Sequence, residues 1–92
     1  MPISYDPVKR DWTLRERGFD FEHAEAMFAG RTFDREDARR DYGEVRIVTV
    51  GFLRGRMLVV VWTPRGNHRH VISMGKANDR EKARYASEFR SC

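Results

Sequence analysis

The stretch Arg56-Met57-Leu58-Val59-Val60-Val61-Trp62-Thr63-Pro64-Arg65-Gly66-Asn67-His68-Arg69-His70-Val71-Ile72-Ser73-Met74 decides the fold. Met57 to Trp62 is apolar at every position, the pattern of a central strand covered on both faces. Pro64-Arg65-Gly66-Asn67 then supplies turn chemistry, and Arg69 to Met74 resumes as a second strand. Period-two alternation puts Ile72 and Met74 on one face with His70, and Arg69, Val71 and Ser73 on the other. Upstream, Gly55 marks another turn, before which Glu44 to Gly51 reads as a third strand. The three segments predict an antiparallel meander.

Working outward, Asp6-Pro7 is a strong helix start, because an Asp cap accepts backbone N–H bonds and Pro at the first helical position forfeits none. The helix is expected to run to about Arg17 and close on Gly18, with Val8, Trp12 and Leu14 or Arg15 facing inward. Asp20 opens a second helix whose Phe21, Ala24, Met27 and Phe28 form an apolar face, and Gly30 ends it. Ile3 to Tyr5 is a possible short strand, and Arg31 to Asp34 an extended segment. Asp34 to Asp41 has no apolar periodicity and reads as a solvated hairpin loop. Asn78-Asp79-Arg80-Glu81 has the form of a capping box, opening a last helix with Tyr85 and Phe89 inward. The fold class is α+β: two N-terminal helices, a three- or four-stranded antiparallel sheet and a C-terminal helix, expected as a single domain over residues 1–92.

Ninety-two residues bury only about two thirds of their unfolded surface, so the core is thin and a deep private cavity is not expected. The lone Cys92 excludes an internal disulfide framework and a cysteine zinc site. No apolar run approaches the ~20 residues of a spanning helix, and the N-terminus lacks signal-peptide form, so the expected location is cytoplasmic, with no membrane role. Charge is uneven. Residues 1–42 carry 8 basic and 10 acidic side chains, residues 43–92 carry 10 and 4, and only three of the basic residues are lysines. Arginine forks match phosphate oxygens, so a polyanion is the first partner to consider, although arginine on any solvated face would produce the same balance.

No glycine-rich phosphate loop, HExxH, nucleophile elbow or paired-carboxylate cleft is present. His23, His68 and His70 do not make a metal site, the last two standing in a cationic surround, and no cofactor is expected. What remains is a cationic and aromatic set: Arg65, His68, Arg69, His70, Lys76 and Tyr85. Such a set can cleave RNA at its own 2′-OH without a metal, since the reaction needs in-line positioning, a proton acceptor, a proton donor and charge stabilisation at phosphate. It can equally be a basic hairpin tip that meets acidic residues of a partner. Arg46, Arg54 and Arg56 form a second basic group, in which Arg46 either extends a phosphate track or pairs with a carboxylate such as Glu44 or Asp41. Trp12 and Trp62 are expected in the core.

Across Ile3 to Tyr85 the chain resembles the BrnT family of bacterial toxins. The resemblance rests on Tyr5-Asp6-Pro7-Val8-Lys9, Arg17-Gly18-Phe19-Asp20-Phe21, Glu44-Val45-Arg46, Gly55 to Arg65, and His70-Val71-Ile72-Ser73-Met74-Gly75-Lys76-Ala77 leading to Arg80-Glu81 and Tyr85. It implies a RelE-like fold, an endoribonuclease activity that halts translation, and a BrnA-type ribbon-helix-helix antitoxin that neutralises the toxin and brings the pair to promoter DNA. On this reading Arg46, Arg65 and Lys76 hold phosphate and His70 carries a proton. Lys9, Arg56, Arg69 and Tyr85 bind RNA. The family pattern has Arg where this chain has His70, Arg where it has Gly75, and His where it has Arg17. Gly75 would therefore leave the site short of one cation and attenuate it, and Gly75→Arg would raise cleavage. The alternative is a non-catalytic basic module that docks a partner protein or nucleic acid.

Overall fold

The computed structural model describes residues 1–39 and 41–90; Arg40 of the expected loop and Cys92 lie outside the described residues. The chain order is β1 (Ile3–Tyr5), α1 (Pro7–Arg17), a 3₁₀ turn (Phe21–His23), α2 (Ala24–Ala29), β2 (Thr32–Glu36), β3 (Ile47–Leu53), β4 (Arg56–Arg65), β5 (His68–Lys76) and α3 (Asp79–Arg90). One five-stranded sheet has the order β1-β5-β4-β3-β2. The β2 to β5 meander is antiparallel, and β1 adds to β5 in parallel, pairing Ser4 with His70. The sheet is thus larger than the predicted one, and mixed.

Local chemistry accounts for the element ends. Asp6 accepts from Val8 N at 3.0 Å, and Gly18 closes α1 at φ +75°. Asp20 likewise caps the 3₁₀ turn that feeds α2, and Asn78 and Glu81 exchange reciprocal 2.8 Å bonds at the start of α3. Arg54 and Gly55 both have positive φ, giving the tight two-residue turn that joins twisted strands β3 and β4.

Leu58, Val60 and Trp62 of β4 face α2, packing with Phe21, Ala24, Met27, Val71 and Met74. Full burial of each such large side chain contributes about 1.5–3 kcal/mol. The Trp62 indole donates to Thr49 Oγ1 at 2.7 Å, and that hydroxyl donates to Asp34 at 2.6 Å, so these two buried polar groups are satisfied. Gly51 lets α2 approach, since a Cβ there would lie 2.9 Å from Thr32 and 3.0 Å from Met27. On the other face Val50, Met57 and Ala77 pack with Val59, Tyr85 and Phe89, so α3 is seated by the two aromatics expected. Arg31 donates to the carbonyls of Glu88 and Phe89, both at 2.7 Å, where a cation complements a helix C-terminus.

Four expectations are corrected. A bulge between Val61 and Trp62 gives β5 one extra residue, so Val71 and Met74 share the α2 face instead of alternating apart. On α1 it is Thr13 that is buried, its hydroxyl donating to Lys9 O, while Val8, Trp12 and Leu14 are exposed; only Trp62 of the two tryptophans enters the core. The segment after Asp34 is not simply solvated: β2 continues to Glu36, and Asp37 is buried, receiving bonds from Arg39 and Tyr42. The strand predicted from Glu44 begins at Ile47, although Arg46 O still accepts from Asp37 N at 2.8 Å.

Candidate functional site

Strand register assembles the first group at the β4–β5 hairpin end. His70 lies between Thr63 of β4 and Ser4 of β1. Carrying the Ile47–Trp62 register one step further sets Arg46 level with Thr63, and another two steps set Glu44 level with Arg65. The contacts agree: Glu44 stands 3.8 Å from Arg46 and 3.6 Å from Arg65. Arg46 also stacks on the Tyr42 ring, 3.9 Å from its centroid. One carboxylate between two guanidiniums leaves the trio net positive, and both separations exceed hydrogen-bond length, so the arginines are tethered without being consumed. Arg65 remains more than half exposed, at 56%.

His70 is half-buried, with Ser4 Oγ 3.0 Å from its Nδ1. Burial holds its pKa below the ordinary histidine value, and the charges of Arg65 and Lys9 push the same way against Glu44 and Asp6. The ring is therefore neutral at neutral pH. In the tautomer with its proton on Nδ1, the imidazole donates to Ser4 and presents the Nε2 lone pair outward. Neither the short β1 strand nor its parallel pairing had a strong sequence signal, so Ser4 was not foreseen as the partner of His70.

The remaining candidates are dispersed. Lys9 is exposed on α1, close enough for its charge to act on His70. Arg69 points to the other face, where its guanidinium lies 4.2 Å from the Phe28 centroid and 5.1 Å from that of Trp62. Tyr85 stacks on Phe33 beneath α3, 6.4 Å between centroids. Lys76 pairs with Leu58 at the far end of β5, six residues and roughly 20 Å from His70 at a strand's rise. The two basic groups expected from the sequence are thus redistributed: Arg46 joins Arg65 and His70 at the hairpin end, and Lys76 joins Arg54 and Arg56 at the other.

At that far end Arg17, Phe19, Arg56, Gly75 and Lys76 line a hollow of about 380 Å³. Arg17 donates to Met74 O at 3.2 Å along the stretch of β5 that β1 does not reach, and its Nη1 would stand 3.4 Å from a Cβ at position 75. Beside Gly75, where the family resemblance leads one to expect a cation, α1 thus places the Arg17 guanidinium. Among the described residues no three or more of His, Cys, Asp and Glu form a group that could hold a metal. No described helix is long and apolar enough to cross a membrane.

An α+β domain with N-terminal helices, a central sheet dominated by an antiparallel meander, and a C-terminal helix has the topology of the RelE-like toxins. The family described as "Ribonuclease toxin, BrnT, of type II toxin-antitoxin system" matches residues 5–81, and the chain belongs to that family. A search of curated proteins finds no match.

Proposed function

We propose that this toxin is a metal-independent endoribonuclease that cuts RNA at the 2′-OH, halts translation, and is neutralised by a BrnA-type ribbon-helix-helix antitoxin through which the pair reaches promoter DNA. The observation that carries the reading is a half-buried imidazole on β5, held by Ser4 on one side and flanked on the other by the tethered guanidiniums of Arg65 and Arg46. His70 Nε2 takes the 2′ proton as the oxygen attacks phosphorus, the P–O5′ bond breaks to leave a 2′,3′-cyclic phosphate, and the departing 5′ oxygen takes a proton from solvent; Ser4 fixes the ring, and Arg65 and Arg46 bind the phosphate oxygens as charge builds on them. The phosphate displaces Glu44 from the arginines, which the long Glu44 contacts make inexpensive. Lys9 adds positive potential beside the imidazole. The role proposed for Lys76 shifts from reaction to binding, and Arg56 keeps a binding role, because both stand at the opposite end of the sheet.

The test is cleavage of single-stranded RNA by purified toxin, without antitoxin, comparing the parent with His70→Ala. Loss of cleavage with RNA binding retained is the expected outcome; undiminished cleavage overturns the assignment. A docking module remains the second reading because Glu44 already engages both Arg46 and Arg65. It predicts a salt-sensitive protein complex and no RNA turnover by the parent.

A further inference from the structure

The rim of the sheet at the Arg54-Gly55 turn gathers several cations around concave surface. The hollow lined by Arg17, Phe19, Arg56 and Lys76 adjoins a second, of about 440 Å³, that shares Arg56 and Lys76 and adds Phe52 and Lys82. The two form one groove wrapping the rim from α1 to α3. None of Arg17, Arg56, Lys76 and Lys82 makes an ion pair with a carboxylate among the described residues, whereas Arg10, Arg39, Arg46 and Arg65 all do. Four cations converge there without an internal counter-charge. Water and salt screen their mutual repulsion, and a bound polyanion would relieve it further.

Aromatic surface is interleaved with this charge. Phe19 lies in the first hollow with the Arg56 guanidinium 6.0 Å from its centroid, and Phe52 is 43% exposed in the second. Cations that follow a backbone, with ring faces on which bases stack, are the equipment of single-strand binding. By register Arg56 and Lys76 leave the strands on the α2 face and reach the groove around the rim, while the surface leading to His70 lies on the other face, with Arg17 beside Gly75 at its start. On that route Ser73 and Gly75 are small, and both they and the paired Val61 and Val59 are only half-buried, because α3 is seated beside Phe33, Phe52 and Val59 and does not reach His70.

Resting on the nuclease reading above, we infer that this groove is a remote phosphate subsite: it holds the backbone of the same single-stranded RNA several nucleotides from the bond that His70 attacks. The chain is gripped at the rim and cut at the hairpin end. Affinity and chemistry are then separated along β5 by roughly 20 Å.

The experiment measures fluorescence anisotropy of a labelled single-stranded oligoribonucleotide over a range of salt, together with steady-state cleavage of the same RNA. The proteins are the parent, Arg56→Glu/Lys76→Glu, Lys82→Glu, and Arg15→Glu as an exposed charge reversal elsewhere on α1. The expected double-variant result is a loss of affinity of about a hundredfold or more, and a log–log salt slope shallower by about two. The loss should fall on KM, not kcat. Lys82→Glu should show a smaller loss in the same direction and Arg15→Glu neither effect. Unchanged affinity and slope in the double variant, or a loss carried by kcat, overturns the subsite. So does a charge reversal that spares RNA and abolishes binding of an acidic protein partner. The salt slope is also read on His70→Ala with uncleaved RNA, so failure of the nuclease reading appears as full cleavage by that variant and remains distinguishable from failure of the groove.

Discussion

The two ends of β5 carry similar numbers of cations and use them differently. At the hairpin end every principal group has a partner: His70 has Ser4, and Arg46 and Arg65 share Glu44. At the turn end Arg56, Lys76 and Lys82 have no carboxylate partner among the described residues and surround an open groove. Partners fix orientation and proton position, which chemistry requires; their absence preserves charge for a ligand, which binding requires. Cation count alone would not separate the two ends.

The largest effect expected from breaking this contrast is that of His70→Ala, a fall in kcat of about 10²–10⁴-fold, the usual contribution of a positioned acid or base. Single-turnover cleavage measures it. A companion pH profile of kcat/KM should lose activity as pH falls through a value below that of an ordinary histidine, because the ring must be neutral to accept a proton. The same depression makes a stability contribution that is present when the ring is neutral and is lost on acidification.

Gly51→Ala tests whether the packing of α2 on β3 tolerates no added methyl. The new Cβ would press on Thr32 and Met27, and a loss of about 1–3 kcal/mol in denaturant unfolding is expected. A loss within error would show that Met27 can swing aside at little cost.

Glu44→Gln removes the tether and so makes the hairpin end resemble the groove. Tighter RNA binding by roughly two- to fivefold is expected, the scale of an exposed ion pair. The acid limb of the pH profile should move lower, since Glu44 is one of the charges that raises the His70 pKa. A limb that does not move would mean that Glu44 does not act on the ring. The smallest effect is assigned to Gly75→Arg. With the Arg17 guanidinium already there, a second one meets like charge, and little gain in cleavage is expected; an increase of an order of magnitude would restore the view that the site lacks a cation.

Much of this architecture is legible locally. Asp6-Pro7 and the Asn78–Glu81 box cap the elements they were expected to cap, Asp20 caps the 3₁₀ turn ahead of α2 and not α2 itself, and Met57 to Trp62 is the central strand. These signals act over a few residues, where backbone bonding and side-chain period are decided. The candidate site was less legible. His70, Arg46 and Arg65 do share one end, but Lys76 does not join them, because a nine-residue strand carries its two ends to opposite rims. Arg17 and Ser4 had no visible function: one reaches Gly75 from a helix and the other reaches His70 through a parallel pairing remote in sequence.

By itself, then, the sequence determined the caps, the turns, the meander and the excess of arginine, all consequences of near-neighbour sterics, hydrogen bonding and composition. Tertiary structure decided the rest: which cations meet a carboxylate, the β5 bulge that sets Val71 and Met74 on one face, and the guanidinium that α1 brings to Gly75. Those outcomes depend on register and approach between distant segments, and a one-residue change of register sends a side chain to the opposite face.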